Sequence, residues 1–377
     1  MRRFVPVAAP VLNGNERKYV LDCLESTWIS SSGKYVELFE ERFAEFCRAK
    51  YAIACSNGTT ALHLALLALG VGPGDEIIVP TLTFVATANA VVYCGARPVF
   101  VDSEPATWNL APNLLENKIT ARTRGIIVVH LYGHPVDMDA VLAVAQRHSL
   151  FVIEDAAEAH GAEYKGRRVG SLGNVAAFSF YGNKIITTGE GGMVVTNEAS
   201  LARKVRQFKG QGVDPERRYW FPVVGYNYRL TNIAAAIGLA QLENVEWHIK
   251  RRREVATWYH QQLDNDPALV FQANKEWATH VYWMFNILLA HDSPLDRDKI
   301  MTYLTEEGIE TRPIFYPIHT LPPYQSLSQG EAFPTAERIA ARGITLPTWA
   351  GLTEEEVVFV CRTLLGACKR QLEDANT

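Results

Sequence analysis

Lys184 stands alone inside "SFYGNKIITTGEGGM", the stretch from Ser179 to Met193. Most lysines are solvated surface groups. This one has Phe178 and Phe180 on either side of Ser179 upstream, and Gly189, Gly191 and Gly192 downstream, where glycine permits tight turns. An enclosed amine can bond an aldehyde and, when free, carry a proton. A second group is Asp155, at the end of the apolar run "LFVIED" and just ahead of "AAEAHG". A carboxylate there is costly unless it is paired. It can cap the next turn, or it can face a cationic ring nitrogen. A third group is "SNGTT", from Ser56 to Thr60, between the run "YAIAC" and a helical pattern. The N–H groups of a helix start bind an anion, and Gly58 lets the backbone come close to it. Asn57 or Thr59 can equally serve as a plain helix cap. No Gly-Lys-Ser/Thr follows, so this is not a Walker loop.

These groups need elements to position them. From about residue 50 to 200, short apolar runs alternate with helical patterns: "YAIACS", "DEIIVP", "RPVFVD", "GIIVVHLYG", "LFVIED", "AAFSF" and "MVVTN" read as strands. Runs apolar on both faces and separated by helices predict a mostly parallel sheet covered on both sides. Ligands of such sheets bind at the carboxyl ends of the strands. Lys184, Asp155 and "SNGTT" all lie just after strands. Beyond Asn227, "NIAAAIGLAQLENVEWHIKRRREVATWYHQQL" reads as one long helix, bent along its length. It leads into a smaller α+β region with the strands "HVYWMFNILLA" and "IETRPIF" and a final helix "EEEVVFVCRTLLGACKRQLE". The expected division is a large α/β domain over residues 1–240 and a small domain over 241–377.

An anion cradle, a buried carboxylate and an enclosed lysine at one sheet edge together describe a pyridoxal phosphate site. That cofactor needs a phosphate anchor, an acid for its pyridine nitrogen and a lysine for its aldehyde. It also needs an apolar group against its ring. Phe84, in "PTLTFVATA", is at the right edge to stack there, or it is simply a core aromatic opening a helix.

The chain has 377 residues, 48% of them hydrophobic, which suffices for a large core. Its net charge of −4 argues against nucleic acid or an anionic membrane as partner. The six cysteines form no CxxC pair, so reduced core thiols are expected and no metal site. The N-terminal "MRRFVPVAAPVLNGNER" is broken by Pro6 and Pro10 and does not read as a signal peptide. The candidate span from Val79 to Val101 contains Pro80, Asn89, Arg97 and Pro98 and does not read as a membrane helix. A soluble, cytoplasmic protein is expected.

The chain resembles the DegT/DnrJ/EryC1/StrS family of nucleotide-sugar aminotransferases. The resemblance rests on "TWISSSGKYVELFEERFAEF", "SNGTTALHLAL", "PTLTFVATANA", "VIEDAAEAHGA", "FSFYGNKIITTGEGGMVVT", "GYNYRLTNIAAAIGLAQLE" and "TRPIFYPIH". It implies fold type I and pyridoxal 5'-phosphate as cofactor. Lys184 then carries the cofactor, and Asp155 pairs with its pyridinium nitrogen. Asn57, Gly58 and Thr59, with Ser179, hold the phosphate, and Phe84 stacks on the ring. Glu158 sits near the ring oxygen, where the wider family commonly has glutamine. Asn227 reaches the phosphate of a neighbouring subunit, which implies a homodimer with shared sites. The implied reaction moves an amino group from L-glutamate to C4 of a nucleotide-linked 4-keto-6-deoxy sugar. The blocks best match a GDP-linked mannose derivative, with UDP- and dTDP-linked sugars as alternatives. Dehydratase relatives carry histidine at the lysine position, and sensor relatives are fused to a DNA-binding module. In "RPIFYPIH", Pro313 and Pro317 stiffen the backbone. Arg312 offers a phosphate fork, and Tyr316 and His319 offer hydrogen bonds to a nucleotide sugar. The same segment can also be a turn that closes the small domain.

Overall fold

The computed structural model describes residues 4–375. Its central sheet has seven strands: β1 (Tyr51–Cys55), β2 (Glu76–Pro80), β3 (Arg97–Val101), β4 (Thr123–Val129), β5 (Phe151–Asp155), β6 (Val175–Ser179) and β7 (Gly192–Thr196). Their order across the sheet is β1-β7-β6-β5-β4-β2-β3. Only β7 runs antiparallel to its neighbours, β1 and β6. The other pairings are parallel. The sheet is therefore mostly parallel, in agreement with the expectation from apolar runs. Its strands are Val-, Ile- and Ala-rich because helices cover both faces and neither face meets water.

One edge of this sheet collects the chemistry. Gly192, the first residue of β7, is in register with both Cys55 and Ser179, the last residues of β1 and β6. Asp155 ends β5, in register with Ala177 and Val129. The carboxyl ends of the parallel strands thus lie side by side, and the loops leaving them share one mouth.

The expected long helix is two helices. Asn232–Glu243 and Val245–Leu263 meet at Asn244, whose φ of −106° and ψ of 10° leave the helical region. Two apolar cores result. Val245 and Ile249 still pack in the core of the seven-stranded sheet, whereas Val255, Tyr259 and Leu263 pack in a second core. That second core is built on a four-stranded sheet of Leu269–Phe271, Phe285–Leu289, Gly343–Leu346 and Arg312–Pro313. Packing changes hands within the second helix, between Ile249 and Val255. Val5, from the far end of the chain, also packs in the second core. Its N–H bonds the carbonyl of Gly308 at 2.8 Å, and its carbonyl accepts from Glu310 at 2.9 Å.

Candidate active site

Residues 180–191 connect β6 to β7 as a folded-back loop rather than an open one. Phe180 N–H bonds the carbonyl of Gly191 at 2.8 Å, and Thr188 N–H bonds the carbonyl of Phe180 at 2.9 Å. Ile185 and Ile186 are buried and anchor the loop. Gly189, at φ +80°, takes the left-handed turn that a β-carbon would strain. Lys184 is pinned one turn earlier by its N–H to the carbonyl of Tyr181 at 2.9 Å.

A cavity of about 490 Å³ opens in front of this loop. Asn57, Gly58, Thr59, Phe84, Asp155, Glu158, Ser179, Lys184 and Arg312 all line it. Sequence reasoning also missed Trp283 and Phe315, which complete its wall. The Asn57 side chain accepts from Thr60 N–H at 2.9 Å, so it caps the helix Gly58–Ala68. The cap reading of Asn57 and its place beside the anion cradle are both present. The helix start has no intrahelical acceptor for the N–H groups of Gly58 and Thr59. A β-carbon on Gly58 would sit 2.7 Å from Cβ of Ser179, so only glycine lets the cradle and β6 approach this closely.

Asp155 is buried. Thr87 Oγ1 donates to its Oδ2 at 2.8 Å, and Ala157 N–H donates to Oδ1 at 3.2 Å. Burial nevertheless pushes its carboxyl up, against the Thr87 and Ala157 hydrogen bonds and the Lys184 amine. Thr87 lies in the first turn of the helix Ala86–Tyr93, three residues beyond Phe84. Burial also pulls the Lys184 amine down, opposed by the charges of Glu158 and Asp155.

Glu158 is buried and accepts from Tyr132 N–H at 2.7 Å. Burial raises its carboxyl to about 7 from 4.5, with Lys184 and the Tyr132 hydrogen bond pulling it back. A carboxyl that keeps its proton in the folded chain and loses it in the unfolded one weakens folding as pH rises from 4.5 to about 7. In cofactor-free protein, Glu158→Gln is therefore expected to gain about 1–3 kcal/mol over the parent at pH 8 and nothing near pH 4. Denaturant midpoints at both pH values check this; an equal gain at both would refute it.

Three expected residues do not line the cavity. His319 is held by partners outside the cavity. Its Nδ1 bonds Thr81 Oγ1 at 2.7 Å, its Nε2 lies 3.2 Å from Glu337 Oε1, and its ring stacks on Phe333 at 4.3 Å. It braces the segment that carries Phe315 against the end of β2. Tyr316 is 57% exposed and is not among the lining residues. Asn227 is exposed, and its Oδ1 accepts from Arg229 Nε at 2.9 Å. Arg312 reaches the cavity while lying 3.6 Å from Glu310 Oε1.

The sequence pattern of the DegT/DnrJ/EryC1/StrS aminotransferase family matches residues 10–365. The chain belongs to this family. It is similar to the GDP-perosamine synthase of Caulobacter vibrioides, 55% identical over 96% of this chain and 97% of that protein. It is also similar to the GDP-perosamine synthase of Vibrio cholerae, 46% identical over 96% of this chain and 98% of that one. Among solved structures, a Streptococcus pneumoniae protein in its PLP form superposes with a TM-score of 0.93 at 26% identity, over 98% of this chain and 100% of that one. The chain is thus a pyridoxal-phosphate-dependent aminotransferase of fold type I. The residues at the site fit that cofactor: a glycine-built cradle beside Ser179, a buried acid, and an amine on the same cavity. Among the described residues no helix is long and apolar enough to cross a membrane, and no metal-binding cluster occurs.

Proposed function

We propose that the protein transfers the amino group of L-glutamate to C4 of GDP-4-keto-6-deoxy-D-mannose, giving GDP-perosamine. The supporting observation is the 55% identity to a GDP-perosamine synthase across 96% of the chain. When bound, pyridoxal phosphate supplies the aldehyde and the electron-withdrawing ring that carry nitrogen between two substrates. Gly58 and Thr59 N–H groups and Ser179 Oγ would hold its phosphate. Phe84 would lie beside the ring, and Glu158 near its oxygen. Lys184 would supply the amine for the aldehyde and, when free, would take and return a proton at Nζ. Asp155, positioned by Thr87, would set a carboxylate beside the ring nitrogen. Incubation with glutamate and a panel of nucleotide keto sugars, read by product mass, tests the reading. A product only from a UDP- or dTDP-linked sugar would overturn the GDP assignment and leave the aminotransferase standing.

Arg312 is the cavity cation we assign to the nucleotide sugar's phosphates. Arg312→Ala is expected to raise KM for the keto sugar about tenfold, since a charge-assisted hydrogen bond is worth about 1.5–3 kcal/mol and this side chain is half exposed. The glutamate half-reaction should be nearly intact. Stopped-flow measurement of each half separately decides it; equal damage to both would place Arg312 at the cofactor.

A homodimer with shared sites is part of the same proposal. Tyr219, Trp220, Phe221 and Val224 are exposed just ahead of Asn227, an apolar run suited to a second copy. Lys184→Ala subunits mixed with Asn227→Ala subunits should then give hybrids with one intact site. Such hybrids are expected to recover about half of the parental activity per dimer. Hybrids with no site at the parental level would refute the sharing.

A further inference from the structure

The Lys184 amine does not sit on a carboxylate. Among the described residues it makes no ion pair, although Asp155 and Glu158 line the same cavity. Its Nζ lies 3.7 Å from the centroid of the Trp283 ring. A cation over an indole face is attracted to the ring's electron-rich surface, most strongly where water is excluded. Trp283 is 5% exposed.

That ring is held on every side. Its indole N–H donates to the carbonyl of Asn183 at 2.9 Å, the residue just before the lysine. Its backbone N–H donates to the carbonyl of Tyr132 at 2.9 Å. Its ring stacks on Tyr132 at 6.1 Å and 14°, and Tyr132 stacks on Phe315 at 5.4 Å and 12°. Its carbonyl accepts from Arg252 Nη1 at 2.7 Å. Arg252, from the helix Val245–Leu263, is buried and also donates to the carbonyls of Thr348 at 3.0 Å and Lys184 at 3.5 Å. Among the described residues its hydrogen-bond acceptors are all backbone carbonyls. A buried guanidinium spent on carbonyls is expensive, and what it secures here is the relative position of the lysine loop and the tryptophan.

We propose that the face of Trp283 is the seat of the Lys184 amine whenever that amine is free, so that Trp283 is a positioning residue for the lysine. This rests on the reading of Lys184 as the cofactor-bearing residue. Seated there, the amine stays beside the cavity without being captured by Asp155 or Glu158. The charged and titratable groups around it are Asp155 at the end of β5, Glu158 and His160 in the following loop, and Arg252 from the helix. Asp155 and Glu158 favour the ammonium, and Arg252 disfavours it. Burial keeps His160 neutral. The ring adds to the side that favours the ammonium.

The test uses cofactor-free full-length protein, so it is independent of amino transfer. Lys184 is labelled competitively with acetic anhydride across pH, and its peptide is quantified by mass spectrometry against the other lysines. Trp283→Leu is expected to lower the Lys184 labelling midpoint by about one pH unit, which is about tenfold more free amine below the midpoint. Trp283→Phe, which keeps a weaker face, should recover at least half of that shift. The midpoints of surface lysines should not move. If the leucine variant does not fold, parental protein grown on fluorotryptophan serves instead; its weakened ring face should lower the midpoint in the same direction. An unchanged Lys184 midpoint in Trp283→Leu, or in the fluorinated protein, would overturn the seat. The cofactor-bearing role would fail separately, if borohydride fixed the cofactor to another lysine.

Discussion

Replacing Lys184 by alanine is expected to abolish amino transfer together with the visible absorbance of the bound cofactor. Alanine has no amine to bond the aldehyde, and among the described residues no other lysine lines the cavity. Loss of a positioned proton carrier alone costs about a hundred- to ten-thousand-fold in rate. Loss of the covalent anchor adds to this. The fold should survive, because Ile185 and Ile186 anchor the loop and the lysine side chain contributes to neither core. Borohydride reduction of the parent followed by peptide mapping checks the assignment directly. Label on the peptide containing Lys184 is the expected result, and label on a different lysine would sink it.

Asp155→Asn is expected to lower the rate far more than it weakens cofactor binding. The amide keeps the shape: its oxygen can still accept from Ala157 N–H, and its NH2 can donate to Thr87 Oγ1, the two partners seen in the structure. What it loses is charge. Burial pushes this carboxyl up in the cofactor-free chain, and a cationic partner such as a protonated ring nitrogen would pull it back down. A charge-assisted hydrogen bond is worth about 1.5–3 kcal/mol, or about ten- to a hundred-fold in rate. Single-turnover rates and cofactor affinity measured on one preparation separate the two effects. A near-parental rate would mean that Asp155 only caps the turn after β5. Rescue by Asp but not Asn in a Thr87→Val background would show that the charge, rather than its orientation by Thr87, dominates.

Much of this site can be read without coordinates, because it is local in sequence. The carboxyl ends of parallel strands share one edge, so residues just after strand-like runs are brought together whatever the loops do. That reasoning reached Gly58, Asp155, Ser179 and Lys184, and the cavity unites all four. The break at Asn244 was not within reach, since "LENVEW" keeps an apolar pattern on both sides of it and lacks proline or glycine.

The residues that tertiary structure alone supplies are those that reach the site from a distance. Trp283 reads as one more aromatic in a strand-like run, and Arg252 as one of several cations along a helix. Only the packing of Trp283 into the core of the seven-stranded sheet puts the tryptophan under Lys184, and only the placement of the helix Val245–Leu263 turns the arginine inward onto the lysine's carbonyl. His319 shows the converse. Beside Pro317 and Arg312 it has the composition of a binding segment, yet Thr81 and Glu337 take its two nitrogens. The sequence by itself determined the cofactor chemistry, because that chemistry needs particular residue types at the ends of particular strands. The tertiary structure decided which side chains of the smaller unit face the site, because direction across an interface depends on contacts between segments far apart in the chain, which no local pattern encodes.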